Sequence, residues 1–269
     1  MENYICVTCG TQFTESETPP EHCPICEDER QYVGHNGQQW TTLEALRTDH
    51  NNVFKEEEEA NLIGIGTEPK IAIGQRGLLV QTPSGNVLWD CITLIDDDTI
   101  AQVKALGGID AIAISHPHYY GSMIEWSKAF DAPIYIHEAE RQWVMRTDPA
   151  VKFWTGETHP ISDGVTLIRC GGHYEGGQVL HWAAGADGKG ALLTGDIINV
   201  VSDRRYVSFM YSYPNLIPLP PSAIRKIVAS VEPFAFDRIY SAWFGTVVRE
   251  NAKASVTFSA ERYINAITD

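Results

Sequence analysis

Short apolar runs broken by Gly and Asn begin near residue 61. Leu62–Ile65, Ile71–Ile73, Gly77–Gln81 and Val87–Trp89 each read as a strand. Beyond them, strands alternate with helices. Helices are expected over Thr99–Leu106, Ser122–Phe130, Glu138–Val144, Ser222–Val231 and about 247–266. Strands are expected over Ala111–Ser115, Ile134–Ile136, Val165–Ile168, Val179–Trp182, Ala191–Thr194 and Arg238–Tyr240. A run of strands followed by mixed strands and helices predicts layered α/β packing with helices outside.

Two segments fall outside that rhythm. Thr41-Thr42-Leu43-Glu44 has the form of a capping box. If the helix continues, Leu43, Leu46, Val53 and Phe54 form one apolar stripe, and Glu56–Glu59 ends it as a solvated face. Val200–Pro221 combines Arg204, Arg205, Tyr206, Phe209, Tyr211 and Tyr213 with four prolines. Prolines this dense forbid a regular helix or central strand. The segment is then either a lid or binding surface, or an aromatic plug over the core.

Composition narrows the function classes. The chain has 269 residues, 43% hydrophobic and 20% charged, which suits one large globular domain plus a small one. Lys+Arg 20 against Asp+Glu 35 leaves a net charge of −15, which argues against nucleic acid and anionic lipid as partners. No apolar run approaches the roughly 18 residues of a transmembrane helix. Met1-Glu2-Asn3-Tyr4 lacks the basic and apolar regions of a signal peptide, so the expected compartment is the cytoplasm. There the six cysteines are expected as thiols or metal ligands.

Four of them, Cys6, Cys9, Cys23 and Cys26, mark a first module over residues 1–35. Cys6-Val7-Thr8-Cys9-Gly10 and Cys23-Pro24-Ile25-Cys26 each place two thiolates on a tight turn, and two facing turns make a tetrahedral S₄ cage. Gly10 stands where the turn asks for positive φ. The pattern resembles zinc ribbons and rubredoxin-like modules, so one zinc is expected here, with iron as the alternative. Disulfide pairing is the rival reading. His22 beside the site is expected to be a surface residue. Residues 36–60 form a linker with a helix, and 61–269 the main domain. A homodimer or a protein partner would engage the N-terminal module.

The strand ending at Ser115 runs into His116-Pro117-His118. In an extended segment, side chains at i and i+2 point the same way, so two imidazoles leave the strand together. His173 and Asp196 follow apolar strands in the same manner, in Gly171-Gly172-His173 and Leu192-Leu193-Thr194-Gly195-Asp196. Over about residues 61–269 the segments Asn86–Asp90, Ser115–Gly121, His137-Glu138, Gly172–Trp182 and Leu193–Asp196 resemble the metallo-β-lactamase superfamily. The resemblance implies an αββα sandwich with a metal site at one edge of two sheets. It matches His116, His118 and His173 to the three ligands of the first metal, Asp196 to the bridging carboxylate and Asp90 to a structural acid.

The chain also departs from that pattern. Where the family has Asp then His, this sequence has Tyr120 and Gly121, and Ser241–Gly245 replaces the last His. One carboxylate cannot hold a second zinc in this geometry. One metal is therefore expected, zinc with iron or manganese as alternatives, and a single metal-bound hydroxide would attack an ester, thioester, lactone or amide of a small-molecule substrate. Asp196 is then a fourth ligand, or it orients the water or acts as base. Tyr120 is a proton donor or carbonyl polariser, or it merely fills the vacated volume. Arg204 and Arg205 are candidates for holding an anionic substrate group. His137, His181, Cys91 and Cys170 read as structural. The rival functions are a non-catalytic metal-binding interaction protein with a degenerate site, and an iron redox protein with a rubredoxin-like centre.

Overall fold

The computed structural model describes residues 1–268. The chain divides into two compact units: Met1–Ile136 with Arg141–Phe153, and His137–Glu140 with the chain from Trp154 on.

The first unit carries a seven-stranded sheet in chain order: Asn51–Glu56, Leu62–Glu68, Gly77–Val80, Val87–Trp89, Ala111–Ala113, Ile134–His137 and Val151–Trp154. Its first four strands pair antiparallel. The strands at 87, 111 and 134 run parallel, which demands crossovers, and the helices Asp97–Ala105 and Met123–Phe130 supply them. The parallel strands are buried apolar runs, as residues covered on both faces must be. Asp96 caps the first helix, its carboxylate accepting the Thr99 amide at 2.7 Å.

The expected helix through Phe54 stops after one turn. Thr42 caps Leu43–Leu46 by accepting the Ala45 amide at 3.2 Å. Val53 and Phe54 lie instead in a strand paired along its length with Leu62–Glu68. Non-local pairing outweighs a local preference that Asn and Val support poorly. The sheet therefore starts at Asn51. The acidic run is not wholly solvated either, because Glu57 accepts from the fully buried Arg76 guanidinium at 2.7 Å. Burial pushes the Glu57 carboxyl up, and Arg76 opposes it. Ile71–Ile73 is not a strand: the chain turns there with Ala72 at φ 50° and Gly74 at φ 69°.

The second unit carries a six-stranded sheet, Thr158–Ser162, Val165–Arg169, Gln178–Trp182, Ala191–Gly195, Arg238–Ser241 and Val247–Val248. Only the step from Ala191–Gly195 to Arg238–Ser241 is parallel. Helix Pro221–Val231 lies within that crossover, with Pro221 in its first turn, where a missing N–H costs little. Val200–Pro221 is the plug rather than the lid. It forms two short ladders and sends Val207, Phe209 and Leu219 into a core with Leu192, Ile224, Ile227 and Val256. The C-terminal helix starts later than expected, at Ala252, after the Val247–Val248 strand and a left-handed Asn251. Glu138–Trp143 is a 3₁₀ helix. No helix among the described residues is long and apolar enough to cross a membrane.

Candidate metal centres

The two cysteine turns close by backbone hydrogen bonds. Gly10 N donates to Cys6 O at 2.8 Å with φ 78°, and Cys26 N donates to Cys23 O at 2.9 Å. All four Sγ atoms are buried and lie within 4.8 Å of one another. Cys6 and Cys26 are 3.5 Å apart, Cys9 and Cys23 3.7 Å. A disulfide needs about 2.05 Å, so the disulfide reading is excluded. Sulfurs around a tetrahedral zinc stand about 3.8 Å apart, given Zn–S bonds of about 2.3 Å, and the cluster fits that spacing. Hydrogen bonding with Cys23 holds the Cys6 thiol far below its ordinary range and pushes Cys9 and Cys26 up. Gln38 Nε2 donates to Cys6 Sγ at 3.2 Å, while Phe13, Trp40, Trp143 and Met145 pack around the cage. His22 is exposed and bonds Glu27, as a surface residue.

In the first unit, Asp90 sets up the histidine loop. It holds φ 57°, donates its amide to Ala113 O at 2.8 Å and accepts the Ser115 amide at 2.7 Å. Its role is structural. His116 is extended, but Pro117–Tyr119 forms a 3₁₀ turn, so the turn, and not a continuing strand, sets the two imidazoles 5.0 Å apart edge-to-face. Ser115 Oγ lies 2.9 Å from His116 Nδ1, which leaves Nε2 to point elsewhere. The ring packed on His116 is Tyr119, at 4.5 Å. Tyr120 is fully buried and lines a small closed cavity with Thr11, Gln12, Met145 and Arg146, an enclosure that suits the filling role weighed for it.

In the second unit, His173 sits in a glycine loop closed by Cys170 N and Gly171 N, both bonded to Gly177 O. Gly172 has φ 81°, and a Cβ there would lie 2.7 Å from Ile227 Cδ1. The Gly176 amide donates to Glu140 Oε1. His173 Nδ1 donates to Met210 O at 3.2 Å, leaving Nε2 for a ligand role. Asp196 follows the Ala191–Gly195 strand. Its turn is pinned by Ser241 Oγ donating to Gly195 O and by Tyr213 OH donating to Asp196 O, each at 2.7 Å. Ser241 thus stands at the strand end where the resemblance expected a histidine, and holds the turn instead. Burial first and the Asp196 charge second push the Tyr213 hydroxyl up. His173 Nε2 and Asp196 Oδ1 are 4.0 Å apart.

One ligand atom from each of His116, His118, His173 and Asp196 lies within 4.8 Å of the other three, all from buried residues. Three imidazoles, two with their second nitrogen already engaged, and one carboxylate make a donor set suited to zinc, iron or manganese. Position 121 cannot supply a second-metal ligand. Gly121 has φ 50°, and a Cβ there would lie 2.7 Å from both the carbonyl carbon and the oxygen of Ile92.

Arg204 and Arg205 lie elsewhere. Arg205 pairs with Asp203 at 2.7 Å and Arg204 donates to Val201 O at 2.6 Å. Both line a cavity of about 480 Å³ with Arg249, Glu250 and Phe258, a lining that includes none of the four donors. His137 bonds Gly156 O and meets Trp154, His181 bonds Ala235 O at 2.8 Å, and burial pulls both imidazoles down. Cys91 and Cys170 are buried thiols, the latter pushed up to about 12 by burial. The sequence did not single out Ser115, Glu140, Met210 or Tyr213 as supports. Only Ser115, adjacent to the histidine pair, carried a visible signal.

The protein has the α/β fold with mixed sheets of the metallo-β-lactamases. The DIM-1 metallo-β-lactamase matches with a TM-score of 0.59, covering 81% of this chain and 99% of that one at 13% identity. FIM-1 from Pseudomonas aeruginosa, in its mono-zinc form, gives 0.57, covering 78% and 95% at 13% identity. No family model matches. At 56% identity over 269 residues, 99% of this chain and 97% of the relative, the chain belongs to the family of the uncharacterized protein YmaE of Bacillus subtilis (strain 168).

Proposed function

We propose that this protein is a metal-dependent hydrolase with a single metal held by His116, His118, His173 and Asp196. Its substrate would be a small molecule with an ester, thioester, lactone or amide carbonyl. The observation that carries the reading is the convergence of those four buried donors, together with a glycine at 121 that leaves a second metal without its histidine. A divalent ion held there supplies Lewis acidity and lowers the pKa of water. Ser115 and the Met210 carbonyl hold the His116 and His173 rings so that Nε2 of each is presented. Asp196 supplies the carboxylate that ligates or accepts a proton. Ser241 and Tyr213 keep its backbone in place. Tyr120 is assigned to packing. The four-cysteine site would hold a structural zinc, with iron as the alternative. Six cysteines with no disulfide among them suit a reducing cytoplasm.

A non-catalytic metal site has one observation in its favour: His116, His118, His173 and Asp196 are only 1%, 2%, 1% and 4% exposed. A screen of chromogenic esters, thioesters and lactones with His116→Ala as control separates the two. Turnover that disappears in the control supports the hydrolase. Turnover that survives in it, or a purified protein with full metal and no turnover, overturns it. A red protein would point to iron in the thiolate cage, a colourless one to zinc.

A further inference from the structure

The four-cysteine turn is bonded into the loop that carries His116 and His118. Gly10, next to Cys9, comes so close to Thr93 that a Cβ would stand 2.4 Å from Thr93 Oγ1. That hydroxyl donates to Gly10 O at 3.0 Å, in a buried contact. Two residues on, the Gln12 amide donates to Gly121 O at 2.9 Å. Segment 91–93 is tied to the same loop. Cys91 N donates to Tyr119 O at 3.1 Å, Ser122 Oγ to Thr93 O at 2.7 Å and Trp126 Nε1 to Ile92 O at 3.0 Å. At a third point Thr14 N donates to Met145 O, and the Arg146 guanidinium bonds both Gln12 Oε1 and Glu125 Oε1.

These contacts have a physical consequence. A module of about 35 residues gains its order largely from its metal. The Cys6–Thr11 turn, closed by Cys6 N to Thr11 O at 3.0 Å, aims both Gly10 O and Gln12 N. If the turn loosens, Thr93 Oγ1 and Gly121 O lose these partners, and a polar group left without its partner in a buried place disfavours that arrangement. The 3₁₀ turn at 117–119 ends beside Gly121, and histidine donors hold an ion tightly only when fixed to about 0.5 Å.

We propose that Gly10–Gln12 is a positioning segment for His116 and His118, so that loading the four-cysteine site tightens metal binding at the histidine site. The proposal rests on the reading of His116, His118, His173 and Asp196 as a metal site. The coupling is reciprocal: metal at the histidines steadies the cysteine turn by the same factor.

Cobalt(II) titration of the full chain tests it, because thiolate charge-transfer bands report the cysteine site and weaker ligand-field bands report the histidine site. The double variant Thr93→Val, Arg146→Met keeps all eight donors and removes the side-chain hydrogen bonds of the connection, leaving the backbone bond from Gln12 N to Gly121 O. Its thiolate bands should match wild type, while chelator competition shows the histidine site weakened about tenfold or more. Cys6→Ser with Cys9→Ser should weaken it from the other end. Histidine-site affinity within about twofold of wild type in the connection variant overturns the coupling. If the cysteine variant loses its near-UV dichroism, the connection variant decides alone. Wild type whose cobalt is unaffected by His116→Ala overturns the metal-site reading itself, a failure visible without either variant.

Discussion

The two donor sets are assembled by opposite means. Cys6, Cys9, Cys23 and Cys26 come from two tight turns within one short stretch, enclosed by a few side chains such as Phe13 and Trp40. His116, His118, His173 and Asp196 come from segments that follow strands far apart in the chain, and hydrogen bonds from the surrounding fold hold the His116 ring, the His173 ring and the turn at Asp196. The first set would draw part of its order from an ion held between its turns, whereas the second is placed by sheets and helices. The lesson is that a site's tolerance to metal loss follows from where its rigidity comes from.

The largest expected effect breaks that contrast at its weak side. Cys6→Ser with Cys9→Ser should remove one metal and the folding free energy tied to it, about 10 kcal/mol or more for a structural zinc. Limited proteolysis should then cut within residues 1–35 while the rest resists. Collapse of the whole chain would show that the cysteine module is needed by the core as well. Next, His116→Ala with His118→Ala should take the metal content from about two ions per chain to about one and lower the thermal transition, because the ion and both buried rings are lost together. Unaltered metal by elemental analysis would refute the histidine site.

A smaller effect probes the supports. Glu140 accepts the Gly176 amide beside the His173 loop, so Glu140→Ala, which removes that acceptor, should weaken histidine-site metal affinity about tenfold, the low end of the range for supporting residues, and leave the thiolate site alone. Equal weakening at both sites would mean general destabilisation. The smallest effect is on pH dependence. Burial depresses the His181 imidazole, and the Ala235 carbonyl opposes it. Above the unfolded value of about 6.5 both states are neutral and stability is complete. Below it the unfolded chain takes up the proton first, and stability falls as pH drops through the depressed folded value. Urea midpoints at pH 7.5 and 5.5 should therefore fall less for His181→Leu than for wild type, and an equal fall would exclude His181 as a contributor.

Legibility followed locality. The parallel strands at 87, 111 and 134 were readable because burial on both faces leaves continuous apolar runs. The strand at Asn51–Glu56 was not, because its partner, Leu62–Glu68, decides it and its own residues suit a helix pattern. Tyr120 drew attention by its position in a motif, yet Tyr119 is the ring on His116, since a 3₁₀ turn replaced the extended chain. Glu140 had no signal at all: its hydrogen bond reaches Gly176 through the fold.

By itself the sequence determined the cysteine cage, the main strands and the histidine, aspartate and glycine positions, because short spacings restrict a chain with few ways to close. Only the tertiary structure decided which distant donors meet, which ring faces the imidazole and that Val200–Pro221 fills the core. Those outcomes depend on pairings across the fold, whose energies no local window contains.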